Sequence, residues 1–182
     1  MATTTWNIDT THSGIHFSVR HMVIAKVRGS FRKFSGAVSL DEQDVTSSFV
    51  AVTIETGSID TGVEQRDNHL RSPDFFDVEK FPSIRFKSTK VEKTSGNGLK
   101  VTGDLTIRDI TREVVLEAEQ LGVGKDPWGN VKAAFEAKTS VDRRDFGLTW
   151  NQALETGGVL VGEKIEIALE VQAVKAQAEQ AA

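Results

Sequence analysis

At 182 residues the chain is long enough for one domain with a sizeable core, and a second domain would be small. It contains no cysteine, which excludes disulfide frameworks, thiolate nucleophiles and cysteine-based zinc or iron–sulfur sites. The net charge of −4 is unevenly spread: Arg20, Lys26, Arg28, Arg32 and Lys33 share a segment free of acidic residues, and that segment either meets an anion or carries solvated strand faces. Nothing in the balance points to nucleic acid.

The N-terminus, up to Trp6, has no basic stretch followed by an apolar one, and no run approaches the ~18 apolar residues of a membrane span. The expectation is a cytoplasmic protein without a membrane span, or a periplasmic one if a leader has been removed. Period-two alternation begins at Ile15, Phe17 and Val19, whose neighbours His16, Ser18 and Arg20 are polar. It returns at Phe34, Gly36, Val38 and Leu40, at Val50, Val52 and Ile54, and at Ile84 and Phe86. The cleanest case is Leu99, Val101, Gly103, Leu105 and Ile107, with polar residues between them. Val114, Leu116 and Ala118 follow, then Ala133, Phe135 and Ala137, and finally Ile165, Ile167, Leu169 and Val171. These runs predict about eight strands.

Turn signals at Ser95-Gly96-Asn97-Gly98, at Asp109 and at Lys125 to Asn130 make sequential hairpins, hence an antiparallel meander. A meander of that size removes its edges best by closing, which predicts an all-β fold, a closed eight-stranded antiparallel barrel. One segment breaks the strand rhythm. Thr61-x-x-Glu64 has the spacing of a capping box and opens a short helix over about 61–71, ending before Ser72-Pro73, with Val63 and Leu70 on one face. Phe75, Phe76 and Phe81 follow in irregular chain and must bury themselves somewhere. The domain is read as 1–172, and 173–182, rich in Ala, Gln and Glu, as a flexible tail.

His12 and His16 would share a strand face while His21 points the opposite way, so three ligands cannot converge and no metal site is expected. His21 continues the inward face of Ile15, Phe17 and Val19, as a core histidine or a polar anchor. No nucleophile elbow, phosphate loop, dinucleotide fingerprint or zinc-protease motif occurs, so no catalytic residue and no cofactor is assigned. Two clusters mix arginine with aspartate: Arg66-Asp67-Asn68-His69-Leu70-Arg71 and Asp142-Arg143-Arg144-Asp145-Phe146-Gly147. Each either fastens loop and helix to the barrel or leaves an arginine free at a cavity mouth.

Several stretches in order resemble the YceI-like polyisoprenoid-binding family. They are Trp6-Asn7-Ile8-Asp9 with His12-Ser13, Phe17 to His21, Gly29-Ser30-Phe31, and Ser58-Ile59-Asp60-Thr61-Gly62. Further ones are Arg66 to Ser72, Asp74-Phe75-Phe76-Asp77 with Phe81-Pro82, Val101 to Arg108, and Asp142 to Gly147. One departure is Asp109, where the family tends to have glycine; aspartate tolerates a left-handed turn better than most residues. The resemblance implies a lipocalin-like barrel holding a long-chain isoprenoid, a quinone or a fatty-acid-type lipid, as a homodimer. In such a barrel the inward positions Phe17, Val19, Phe34, Val38, Val52, Phe86, Val101, Leu105, Leu116 and Phe135 would form the apolar pocket. His21, Arg66 and Arg144 are the candidates for its polar end. The functional expectation is non-catalytic carriage or storage of such a lipid. The alternative is a filled barrel acting as a structural or protein-interaction module, and an enzyme on a lipid head group would need a cavity residue of strongly shifted pKa.

Overall fold

Alternating apolar and polar residues put one carbon-rich face on every strand, and that face is buried only if the strands wrap around it. The computed structural model describes residues 3–22, 24–152, 154 and 160–176. Its strands are β1 (Thr4–Ile8), β2 (Gly14–His21), β3 (Ala25–Phe31), β4 (Phe34–Leu40), β5 (Phe49–Glu55) and β6 (Ile59–Asp60), then β7 (Ser83–Lys93), β8 (Gly98–Ile107), β9 (Ile110–Lys125), β10 (Val131–Asp142) and β11 (Val161–Lys175). The helix α1 (Glu64–Arg71) lies between β6 and β7.

The order β1-β4-β5-β7-β8-β9-β10-β11 closes by pairing of β11 with β1, giving an eight-walled antiparallel barrel as expected. Three walls are broken. β2 continues β1 along the same edge of β11, β3 runs into β4, and β5 into β6, so that Ile15 faces Phe31 in one half of the hairpin and Trp6 faces Val38 in the other. Thus β1 and β3, which the alternation did not flag, are the missing halves of walls already counted.

The break after β1 is tied by Asp9. Its Oδ2 lies 2.8 Å from His12 Nδ1, Lys132 Nζ donates to it at 3.2 Å, and Oδ1 accepts the Thr11 N–H at 3.1 Å. These bonds, the one from His12 foremost, hold the Asp9 pKa down at about 2.

Turns join the strands where the sequence marked them, two residues long at Arg108–Asp109 and longer at 94–97 and 126–130. Arg108 and Asp109 both have positive φ (51° and 60°) in the β8–β9 hairpin, the geometry of a type I′ turn. Aspartate takes it readily; Arg108 is held there by its donation to the Gly147 carbonyl at 3.0 Å.

The helix departs from expectation at its start. It begins at Glu64 with Val63 as N-cap and no capping side chain, while Val63 is exposed rather than buried beside Leu70. Thr61 does not cap the helix; its N–H and hydroxyl both donate to the buried Asp67 carboxylate, at 2.9 and 2.5 Å. The polar network pulled the entry loop back onto the helix, so a loop replaced the first turn. The C-terminal strand also runs three residues beyond 172: Ala173, Val174 and Lys175 belong to β11, and Ala173 is fully buried. Residues 177–182 of the expected tail lie outside the described residues.

Candidate functional site

Parity along each strand decides what faces the barrel interior. Ile165, Ile167, Leu169 and Val171 of β11, Val114, Leu116 and Ala118 of β9, and Leu99, Val101, Leu105 and Ile107 of β8 all point to one cavity of about 240 Å³. It extends lengthwise, from Leu40, Val45 and Phe49 towards Phe31, Phe146 and Leu148. The lining includes Glu136, Thr139, Ser48 and Arg143, yet no polar atom is exposed to the space, so the wall presents only carbon.

Two glycines shape this interior. A Cβ at Gly103 would strike the Phe86 ring, and one at Gly29 the Phe17 ring. Their absence lets both rings lie against the wall, which leaves room along the middle instead of filling it.

Each end is stoppered by packing. At one, Trp6 sits among Leu40, Ala133 and Ala173, with Val38, Val45 and Phe135 against it. At the other, the aromatic residues after α1 find their burial: Phe76 meets Phe31 edge-on with ring centroids 5.9 Å apart, and Phe75 meets Trp150 at 5.4 Å. His69 of α1 stands edge-on to both Phe75 and Trp150, at 5.1 and 4.7 Å, and its Nε2 lies 2.9 Å from Asp74 Oδ2.

Of the residues expected in the apolar pocket, Phe17, Val38, Val52, Phe86, Val101, Leu105, Leu116 and Phe135 line the cavity. Val19 and Phe34 do not. Val19 pairs with Val27 and Ile165, towards the end of β2, and Phe34, paired with Ile54, packs partly buried against the same core beside the β3–β4 break. The candidates for the polar end are not brought together. His21 closes β2 opposite Ala25 and Val161, off the cavity wall. Arg66 donates to Thr61 Oγ1 at 2.7 Å and to the Thr61 carbonyl at 2.8 Å, fastening the helix to its entry loop. Arg144 is spent outside the barrel on Asp142 (2.6 Å) and Glu163 (3.1 Å), and its bonds hold the Asp142 carboxyl down at about 2.

The arginine that does reach the cavity is Arg143, which the sequence reading passed over. It is buried, and its guanidinium donates to four carbonyls: Gly162 (2.8 Å), Leu148 (2.6 Å), Trp150 (2.9 Å) and Val161 (3.3 Å). Burial lowers its pKa from the ordinary guanidinium value, while Glu163 and Asp142 oppose that shift. Its stem thus completes the wall and its head pins the chain at 148–150 to the start of β11. The signal was available: Phe135, Ala137, Thr139 and Val141 are inward odd positions of β10, and Arg143 is the next.

The outward positions reverse this chemistry. Lys87, Lys100, Asp104, Glu113 and Glu117 are all exposed, the opposite of a barrel whose outside meets lipid. Among the described residues no helix is long and apolar enough to cross a membrane.

A closed β-barrel with a carbon-lined axial cavity and a polar exterior defines the class of small-ligand-binding barrels. Within it, the model of the YceI-like domain matches residues 6–173, and the chain belongs to that family. Protein YceI of Salmonella newport is 41% identical over 138 residues, 76% of this chain and 72% of that protein. A UPF0312 protein of Serratia proteamaculans is 37% identical over 91% of this chain and 83% of its own length. Among solved structures, the Campylobacter jejuni YceI protein superposes with a TM-score of 0.75 at 32% identity, covering 87% of this chain and 90% of that one. A polyisoprenoid-binding domain from Saccharophagus degradans shares the fold at a TM-score of 0.66 and 13% identity, over 94% of this chain and 98% of that domain.

Proposed function

We propose that this protein is a non-catalytic carrier or store for a long apolar lipid, an isoprenoid, quinone or fatty-acid-type chain, held in the barrel. The observation that carries the proposal is the axial cavity whose exposed wall is entirely carbon. Such a wall rewards hydrocarbon at roughly 0.8 kcal/mol per buried methylene and offers a head group nothing, so chain shape selects the ligand and the head stays outside the lined space. Phe17, Val38, Val52, Phe86, Val101, Leu105, Leu116 and Phe135 would contact the chain. The naming of the Saccharophagus degradans domain as polyisoprenoid-binding supports this ligand class.

Size adds a condition. A cavity of about 240 Å³ is below the roughly 300–1,000 Å³ of typical ligand pockets, so only a short stretch of chain fits it as it stands. A longer chain requires the half-buried Phe17, Val52, Leu116 and Leu169 to swing aside, or leaves part of itself outside.

Native mass spectrometry of freshly purified protein, followed by organic extraction, tests the proposal. A stoichiometric mass increment that extracts as a long-chain lipid is expected, and the same spectrum reads whether the protein is a homodimer. A clean protein mass that also refuses added long-chain isoprenoids would sink the carrier and favour a barrel acting through a protein partner.

A further inference from the structure

Most of the acid-free segment of the sequence belongs to one hairpin, β2–β3; Arg32 and Lys33 lie beyond it and pair with Asp60 and Glu55. β2 and β3 place Phe17 and Phe31 on the cavity wall and then run on towards their turn. From Ala25 to Gly29, β3 pairs with β2 alone, because β6 covers only Ser30 and Phe31. At the turn, Met22 is 51% exposed and Ile24 86%. Val23, between them in sequence, lies outside the described residues.

This turn is built against the usual rules. Met22 holds a positive φ of 53°, where glycine or asparagine would be at ease, and it is fixed by its N–H to the Leu160 carbonyl (2.8 Å) and by Ile24 N–H to its own carbonyl (2.8 Å). Large apolar side chains gain the fold nothing at such a place, so their exposure calls for a partner.

The flank supplies the second half of the chemistry. Arg20, Lys26 and Arg28 alternate on the outward face of the hairpin, beside Lys164 of β11. The acids facing them are few and occupied. Glu166 takes Lys26 at 3.2 Å and the Ser18 hydroxyl at 3.3 Å, and Glu163 with Asp142 takes Arg144. Among the described residues, Arg20, Arg28 and Lys164 have no carboxylate within ion-pair distance. A chain of net charge −4 thus carries one concentrated basic edge around an apolar tip.

We propose that the β2–β3 hairpin docks the protein onto an anionic lipid bilayer, with Met22 and Ile24 entering the interface and Arg20 and Arg28 meeting the head groups. The β9–β10 turn is the competing surface, with Trp128 84% exposed and Lys125 and Lys132 beside it, but Lys132 is paired with Asp9 and Asp126 stands in the turn itself. Docking through β2–β3 brings the strands that carry Phe17 and Phe31 to the membrane. That purpose rests on the lipid-carrier reading, while the docking itself does not.

The test is co-sedimentation of the full chain with vesicles of phosphatidylcholine alone or with about 30% phosphatidylglycerol. Binding to the anionic vesicles only, lost in high salt, is expected. Met22→Ser with Ile24→Ser, and separately Arg20→Gln with Arg28→Gln, should each weaken it roughly tenfold or more. Trp128→Ser should leave it unchanged. No preference for anionic vesicles, or loss of binding in Trp128→Ser alone, overturns the proposal. Unfolding midpoints and native masses of the same variants keep the two readings apart: lipid retained without vesicle binding removes the docking and leaves the carrier, and vesicle binding by a protein that takes no lipid does the reverse.

Discussion

One end of the barrel is solid and its middle is hollow, although the same alternation builds both. Around Trp6, which is 1% exposed, the wall offers Ala133 and Ala173 directly opposite each other on β10 and β11, so a large ring drops into the space of two small side chains. In the middle, Phe17 and Phe86 meet glycines and lie flat on the wall, and the space they do not fill stays open. Ring over the alanines of neighbouring strands makes a plug; ring against glycine makes a lining. The contrast shows that apolar content does not decide whether a barrel is filled; the placement of small residues does.

The largest effect should come from emptying the plug. Trp6→Ala should cost about 3–5 kcal/mol in urea unfolding, because the surrounding strands cannot collapse into the space. If it costs little, the end is not a rigid stopper and the contrast fails. Arg143→Met comes next, at about 2–4 kcal/mol, since it strips donors from the buried carbonyl of residue 148 and the partly buried ones of 150, 161 and 162. Faster amide exchange around Leu148 and Val161 should accompany it.

Filling the hollow should behave differently. Ala118 and Ala137 face each other on β9 and β10 in the cavity wall, so changing both to leucine adds carbon to open space. Stability should move by no more than about 1.5 kcal/mol, while co-purifying lipid falls sharply. A large destabilisation with lipid retained would show that the space was already packed.

Asp9→Asn should cost about 1 kcal/mol at pH 7 by weakening the clasp between β1, β2 and Lys132. The folded carboxyl titrates at about 2, below an unfolded value near ~3.9, so its stabilisation is present above the unfolded value and is lost as pH falls through the folded one. The gap between wild type and variant, followed by urea midpoints, should narrow below about pH 4 and close near pH 2. Arg144→Ala should be the smallest change, an unmoved midpoint and unchanged lipid content, because its carboxylate partners are at the surface.

Much of the fold is legible in the sequence. The eight alternating runs correspond to the eight walls, and the turn at Asp109 takes the left-handed form its residue allows. Parity places eight of the ten apolar candidates on the cavity wall, while Val19 and Phe34 sit where a wall runs out or breaks. The polar candidates lie apart from one another for another reason. Arg66 and Arg144 were chosen for their chemistry and not their parity, and the nearest carbonyl or carboxylate claimed each of them.

The sequence alone determined the strands, their hairpin order and the carbon face of each, because period two is a local property of the backbone. It also marked the basic stretch, most of which became one hairpin. The tertiary structure alone decided that β11 closes on β1, that Arg143 rather than Arg144 turns inward to finish the wall, and that glycines stand behind two phenylalanines. The closure and the glycine placements depend on which residues meet across strands far apart in the chain, which no local pattern records; for Arg143 parity gives only the direction, and the carbonyls of residues 148, 150, 161 and 162 that hold it there come from the fold.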